Sequence, residues 1–309
     1  MDDITHALAG GLIGRSQPSA RKGLVLACVF GALAPDMDCL YTLGLHDLYL
    51  TEHRGFTHSW LGLLPMTLLA TALAWLFVRR RPDRASFMAM SGMALLGVLS
   101  HLFLDLCTSW GTMLLWPDRT RFAWDYLFIV DPWYMALLAL PLALSFRWKT
   151  RRVRICLAGL ALAAGYHGLA AFNHHQALVV VEKDRPGAWA AAFPQPLSPF
   201  RWSVYSREKG LLKCAQIDFL KSVTPLKWEQ WQEPAMTPDI QAAMDSPAGR
   251  RFLWFARVPM WSAEKRADGT TLVDFWDMRF RSYAMREKVI HRFGAEIVAR
   301  DGKVIQDGL

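Results

Sequence analysis

Residues 59–78 read SWLGLLPMTLLATALAWLFV, twenty positions without a charged side chain, and Arg79-Arg80-Arg81 follows at once. At ~1.5 Å per residue a helix of this length covers the ~30 Å hydrocarbon core of a bilayer. The arginines mark the place where it re-enters water. Reading outward from this stretch, Ala85 to Leu104 forms a second span, uncharged while His101 is neutral. Val130 to Phe146 forms a third, with Asp131 near its start and Pro141 inside it. Ile155 to Asn173 forms a fourth, holding His167 and several small residues suited to helix packing. Gly23 to Pro35 is shorter and spans only if it continues past Asp36 and Asp38, and residues 3–14 make a still shorter apolar helix.

The chain has 309 residues, 53% of them hydrophobic, and its long uncharged stretches crowd into the first 175. From about 176 the composition is that of an ordinary soluble domain. Alternating runs at 201–206, 212–219 and 271–277 predict strands. Asp268-Gly269 predicts a turn, Pro238 to Met244 a short helix with Thr237 as its N-cap, and Ala295 to Val304 a hairpin around Asp301-Gly302. The fold class expected is therefore mainly α. A polytopic transmembrane helical bundle over 1–175 precedes a small α+β extramembrane domain over 176–309.

The net charge of +8 does not point to nucleic acid. Many basic residues sit in two short clusters between apolar segments, 79–84 and 147–154, rather than in one phosphate-tracking stripe. These clusters, with Arg15, Arg21 and Lys22, belong on the cytoplasmic side. Residues 23–40 then run outward, 59–78 inward, 85–104 outward, 130–146 inward and 155–173 outward. In a bacterial inner membrane this places the 41–58 loop, the 105–129 loop and everything after 173 in the periplasm. The acidic start Met1-Asp2-Asp3 argues against a cleaved signal peptide. Among five cysteines only Cys214 lies in the soluble region, which excludes a disulfide within it.

That threading gathers ionisable groups that played no part in deriving it. Asp36 and Asp38 end their span on the outer side, His53 and His58 lie in the outer loop, and His101 and Asp105 close the outer end of the third segment. His101 and Asp105, four residues apart, share one helical face. Pro35 breaks helical geometry beside Asp36 and Asp38, which frees both carboxylates to enter one cavity. The run His53-Arg54-Gly55-Phe56-Thr57-His58-Ser59 joins two imidazoles and a guanidinium in a turn leading to a helix N-terminus. That arrangement suits a metal-bound anion. His6 sits deeper, one short helix from Arg15.

Each group also has a structural reading. His101 with Asp105 is a possible helix-stabilising pair, Asp36 and Asp38 are possible interfacial caps, and Arg54 is a possible counter-charge to Glu52. Asp125 and Asp131 fit helix capping, or pairing with Arg119 and Arg121, better than ligation. His174 and His175 fit the end of the last span at the membrane surface, and His46 and His291 lack partners in sequence. Trp60, Trp110, Trp116, Trp124 and Trp133 fit an outer aromatic belt.

The Pro35-Asp36-Met37-Asp38 segment, the His53–Ser59 run and the His101-x-x-x-Asp105 pair resemble the signature of the YdjM-like family, and His6 in Ile4-Thr5-His6-Ala7 fits the same pattern. The resemblance covers roughly residues 1–175. Members are bacterial inner-membrane proteins described as metal-dependent hydrolases, distantly similar to zinc-dependent phospholipases C, whose helical cores also use a His-x-x-x-Asp pair. The resemblance implies phosphoester chemistry at a lipid surface and says nothing firm about the region after 176.

Mixed imidazole and carboxylate donors suit zinc, with manganese or iron as alternatives. His6, Asp36, Asp38, His53, His58, His101 and Asp105 exceed the three protein ligands usual for one catalytic zinc, so the expectation is one to three ions sharing carboxylates. Arg54 and Asp38 are the candidate catalytic residues. The expected partners are the lipid bilayer and a lipid or phosphoester substrate, with no nucleic acid; what the C-terminal domain binds is open. A divalent-cation or proton transporter, and a non-catalytic scaffold with a structural metal, stay open as alternatives.

Overall fold

The computed structural model describes residues 1–19, 21–42, 46–78, 84–280 and 294–308, with side chains left out over 41–47 and at 84 and 85. Most of the 79–84 arginine cluster and His291 lie outside these residues, as does the side chain of His46. The chain divides into two compact units. The first comprises Met1–Gly44, Glu52–His175 and Leu197–Pro199; the second comprises Leu45–Thr51, Gln176–Pro196 and Phe200–Leu309.

The helices come first in the chain, most of them within the first unit. Helix α1 (Asp3–Ser16) starts at Asp2, whose side chain accepts from the Thr5 amide. Helix α2 (Lys22–Leu33) stops because Pro35 cannot donate the next backbone bond, and a 3-10 turn carries Pro35–Asp38 onward into α3 (Cys39–Thr42). After α4 (His46–Glu52) comes another 3-10 turn, Phe56–His58, and the chain then bends by 83° into α5 (Leu63–Leu76). Helix α6 (Arg84–Leu106) is followed by α7 (Pro132–Arg147), which Asp131 caps by accepting from the Trp133 and Tyr134 amides. Helix α8 (Arg152–Asp184) runs unbroken for 33 residues.

Two of these helical stretches, Ser86–Leu106 and Lys149–Asp184, are long and apolar enough to cross a membrane, and the bent pair Leu48–His58 with Leu63–Leu76 makes a third if counted as one span. Five crossings were expected. The difference is one of length. The 12 residues of α2 reach about 18 Å, the 14 of α5 about 21 Å and the 16 of α7 about 24 Å, all short of a ~30 Å core. The uncharged run 59–78 is helical only from Leu63, because Ser59–Gly62 are taken up by the bend. At the other extreme, α8 does not stop at Asn173 but continues through His174 and His175 to Asp184.

Helix α2 lies directly against α6. A Cβ at Gly31 would sit 2.1 Å from the Ala94 carbonyl oxygen, and one at Gly97 would sit 2.2 Å from that of Cys28. The two backbones thus touch through paired glycines, the small-residue contact that suits helices in lipid. This approach sets the distance between the Pro35–Asp38 turn that follows α2 and the last turns of α6.

The second unit carries two four-stranded antiparallel sheets. Strands β1 (Trp189–Gln195), β2 (Ser198–Glu208), β3 (Leu211–Asp218) and β4 (Glu229–Gln232) form the first in sequence order. Strands β5 (Pro259–Lys265), β6 (Thr271–Asp277), β7 (Ala295–Arg300) and β8 (Lys303–Gly308) form the second. Between the sheets in sequence stand α9 (Pro238–Asp245), capped by Thr237, and α10 (Pro247–Phe255). Ile240, Phe252, Phe275 and Ile297 bring both helices onto the second sheet. The strands expected at 201–206, 212–219 and 271–277, the Thr237 cap and the 295–304 hairpin all appear. Strands β1, β4 and β5 and helix α10 went unread.

Two outcomes follow. Gly31→Val should lower the thermal midpoint of the detergent-solubilised chain, since over-packing costs about 1–3 kcal/mol, whereas Gly92→Ala, with nothing within 4 Å of the added Cβ, should raise it. Thr237→Ala should cost about 1 kcal/mol and speed amide exchange across 240–245 in the full chain.

Candidate metal centre

Four segments far apart in sequence close on one point. Helix α1 supplies His6, the turn after α2 supplies Asp36 and Asp38, the segment before the bend supplies His53, Arg54 and His58, and the last turns of α6 supply His101 and Asp105. All are buried except Asp36, whose side chain keeps 14% exposure. The structure thus brings together every residue expected at the site.

The hydrogen positions follow from the partners. His101 Nδ1 lies 2.7 Å from the carbonyl oxygen of Ala32, which can only accept, so Nδ1 donates and Nε2 keeps its lone pair. Thr57 Oγ1 donates to Asp38 Oδ2 at 3.2 Å and accepts from His58 Nδ1 at 3.0 Å, which leaves the lone pair of His58 on Nε2 as well. The two Nε2 atoms are 3.0 Å apart. Asp105 Oδ2 lies 3.3 Å from each of them, and Asp36 Oδ1 lies 3.2 Å from His58 and 3.6 Å from His101. Four lone-pair-bearing atoms therefore converge with no hydrogen between them. Such a set repels itself unless a cation sits among the donors.

Asp36, His58, His101 and Asp105 have ligand atoms all within 4.8 Å of one another, and so do Asp36, Asp38 and His53. Asp36 belongs to both sets. Asp105 Oδ2 and both ring nitrogens of His6 are buried without a hydrogen-bond partner, which is costly in an apolar interior. His6 stacks on His101 with ring centroids 3.7 Å apart and directs Nε2 at Asp105 Oδ1, 3.3 Å away. Imidazole and carboxylate donors, orphaned buried atoms and an excess of negative charge all fit a divalent cation. Three carboxylates gather here against two positive groups, the guanidinium of Arg54 and the amino group of Met1.

Around these donors a second layer fixes their orientation. Asp38 Oδ1 accepts from His53 Nδ1 at 3.0 Å, and Oδ2 accepts from the Arg54 amide at 3.0 Å. Arg54 does not balance Glu52, which pairs with Arg119 instead. It turns inward at 1% exposure, with Nη2 2.8 Å from Asp105 Oδ1 and Nη1 2.9 Å from Thr108 Oγ1. The Met1 amino group also meets Asp105 Oδ1. Arg54 has φ +62°, a left-handed conformation costly for a side chain of this kind. Its backbone is held there by the Asp38 bond and by its carbonyl, which accepts from Met113 N at 2.9 Å.

Asp131 is a cap, as its sequence context indicated, and also accepts from the Tyr166 hydroxyl at 2.6 Å. Neither Asp125 nor Asp131 joins the candidate ligand sets found among the described residues, nor do His174 and His175. Of the tryptophans read as a belt, Trp60, Trp124 and Trp133 are exposed, whereas Trp110 is buried. Thr57, Thr108 and the Ala32 carbonyl were not foreseen. A backbone carbonyl carries no sequence signal, Thr108 stands in no local pattern, and Thr57 lay inside the His53–Ser59 run with no role of its own assigned.

Comparison with known proteins bears on the same region. The chain is 36% identical over 130 residues to the inner membrane protein YdjM of Escherichia coli (strain K12), covering 39% of this chain and 58% of that protein. It is 30% identical over 126 residues to the uncharacterized protein YfhP of Bacillus subtilis (strain 168), covering 38% of this chain and 37% of that one. The matches thus span less than two thirds of either relative. No solved structure matches the chain. The sequence model of the YdjM inner membrane protein family matches residues 1–177, which takes in every donor described above, and the chain belongs to that family.

Proposed function

We propose that the buried centre is a metal-dependent hydrolase site that cleaves phosphoesters of lipid origin at the outer face of the inner membrane. The observation that carries this reading is the pair of overlapping donor sets sharing Asp36, with a buried guanidinium alongside. Zinc is the ion that best suits these donors, with manganese or iron as alternatives, and the sharing of Asp36 favours two ions over one. A divalent ion held by these residues would supply Lewis acidity and lower the pKa of a water to a useful value.

The chain's own residues do the rest. The Ala32 carbonyl and Thr57 hold His101 and His58 in the tautomers that turn Nε2 toward the centre. Asp38, a member of the second donor set, also accepts from His53 Nδ1 and so orients that ring. Arg54 places fixed positive charge in a water-poor setting, where charge developing on a phosphoryl oxygen is stabilised most. Asp36, the most exposed of the donors, marks the side from which water enters. The arginine-rich segments support a cytoplasmic location for the opposite ends of the helices, and hence a periplasmic location for the C-terminal unit.

Detergent-purified chain should contain tightly bound divalent metal and show phosphodiesterase activity, and His58→Ala with His101→Ala should lose both. Full activity in the double variant would remove the proposal. Chelation should lower the thermal midpoint of the parent and leave the double variant unmoved; an ion present at ~100 times its Kd contributes about 2.7 kcal/mol. Arg54→Lys should keep the metal and lower kcat by about 100-fold, because one ammonium cannot reproduce the fork that spans Asp105 and Thr108. Unchanged kcat at full metal occupancy would exclude Arg54 from the chemistry.

A further inference from the structure

Within the helical unit lies a cavity of about 370 Å³ lined by α1, α6, α7 and α8. Its walls are almost wholly apolar. They run from buried Ala9, Leu104, Leu138 and Ala163 out to exposed Phe103 and Ala164. The cavity therefore reaches the surface of the unit between α6 and α8, the two helices long and apolar enough to cross a bilayer. Where both helices cross the membrane, that opening faces bilayer hydrocarbon.

The polar side chains at its edge do not ask for a polar ligand. His167 Nε2 lies 2.9 Å from the Tyr134 hydroxyl, and its Nδ1 lies 3.2 Å from the Tyr126 hydroxyl, which in turn meets Cys107 Sγ at 2.9 Å. A neutral imidazole has one donor and one acceptor, so both nitrogens of His167 are spent on the tyrosines. The wall that remains attracts by contact and dispersion alone. The volume falls within the ~300–1,000 Å³ typical of small-ligand sites.

The cavity is also next to the metal centre in the simplest sense. Leu104 precedes Asp105 and Ser100 precedes His101, so neighbouring residues of α6 line the cavity and carry the candidate ligands. We infer that the cavity takes one hydrocarbon chain of a bilayer lipid, entering sideways between α6 and α8, with the lipid's polar end left toward the centre at Asp105 and His101. The assignment of that lipid as substrate rests on the hydrolase reading above; the binding of the chain does not.

The test uses the full chain in nanodiscs of phosphatidylethanolamine and phosphatidylglycerol, doped with phosphatidylethanolamine that carries a diazirine at the end of one acyl chain. Photolysis should label Leu138 or Leu104, buried residues that surrounding lipid cannot touch. Ala163→Phe should fill the cavity and cut that labelling by about tenfold at unchanged metal content. Because a buried phenylalanine threatens folding, Ala164→Trp provides a second plug at an exposed position and should give the same loss. Labelling confined to outward-facing side chains, or undiminished in both variants, would overturn the inference. His101→Ala separates the two claims: retained labelling with lost phosphodiesterase activity supports both, whereas labelling without activity in the parent chain sinks the hydrolase reading and leaves the chain-binding cavity standing.

Discussion

The helical unit is organised around a carboxylate that water does not reach. Asp105 has no exposed surface, and its two oxygens face His101 of its own helix and His6, Arg54 and His58 from two other segments of chain. An isolated carboxylate in such a place costs several kcal/mol, so these neighbours are as much a condition of folding as of chemistry. The constraint runs both ways. Histidines that turn lone pairs at one another need a positive charge between them, and burying the anion without its partners is equally unfavourable. Helix termini, the break at Pro35 and the bend after His58 are all arranged so that these groups arrive together.

The glycine contact between α2 and α6 makes that arrival possible. With larger residues at 31 and 97 the two helix axes would stand farther apart, and the Ala32 carbonyl would no longer meet His101 Nδ1. A bond 2.7 Å long would become a gap, and the imidazole would be free to rotate. Packing at the level of single Cβ atoms thus decides the protonation pattern of a side chain one turn away.

Much of the site was legible because its chemistry demands residue types that apolar segments otherwise avoid. An imidazole and a carboxylate four apart near the end of a membrane-length helix announce themselves, and so does Pro-Asp-Met-Asp after an apolar run. Crossing number was harder to read. Hydropathy reports which residues avoid water and does not distinguish a lipid-facing helix from one buried against its neighbours, so α2 and α5 looked longer than they are. Strands β2, β3 and β6 carried alternating patterns, but β4 is four residues with little burial and left no trace to read. The true partner of Arg54 was hidden for another reason. Glu52 is two residues away in sequence and Asp105 is 51, and local proximity points to the wrong one.

Arg54 holds a backbone conformation that glycine or asparagine would adopt with less strain, and it spends a buried charge as well. A lineage that gave up the chemistry would relieve that strain by drifting to either residue only if Asp105 changed with it, because Arg54 is the buried partner of that carboxylate. Retention of the pair across divergent members, strain included, would be the mark of a selection pressure that folding alone does not impose. The ancestry of the site can thus be read at one torsion angle, without knowledge of what it acts upon.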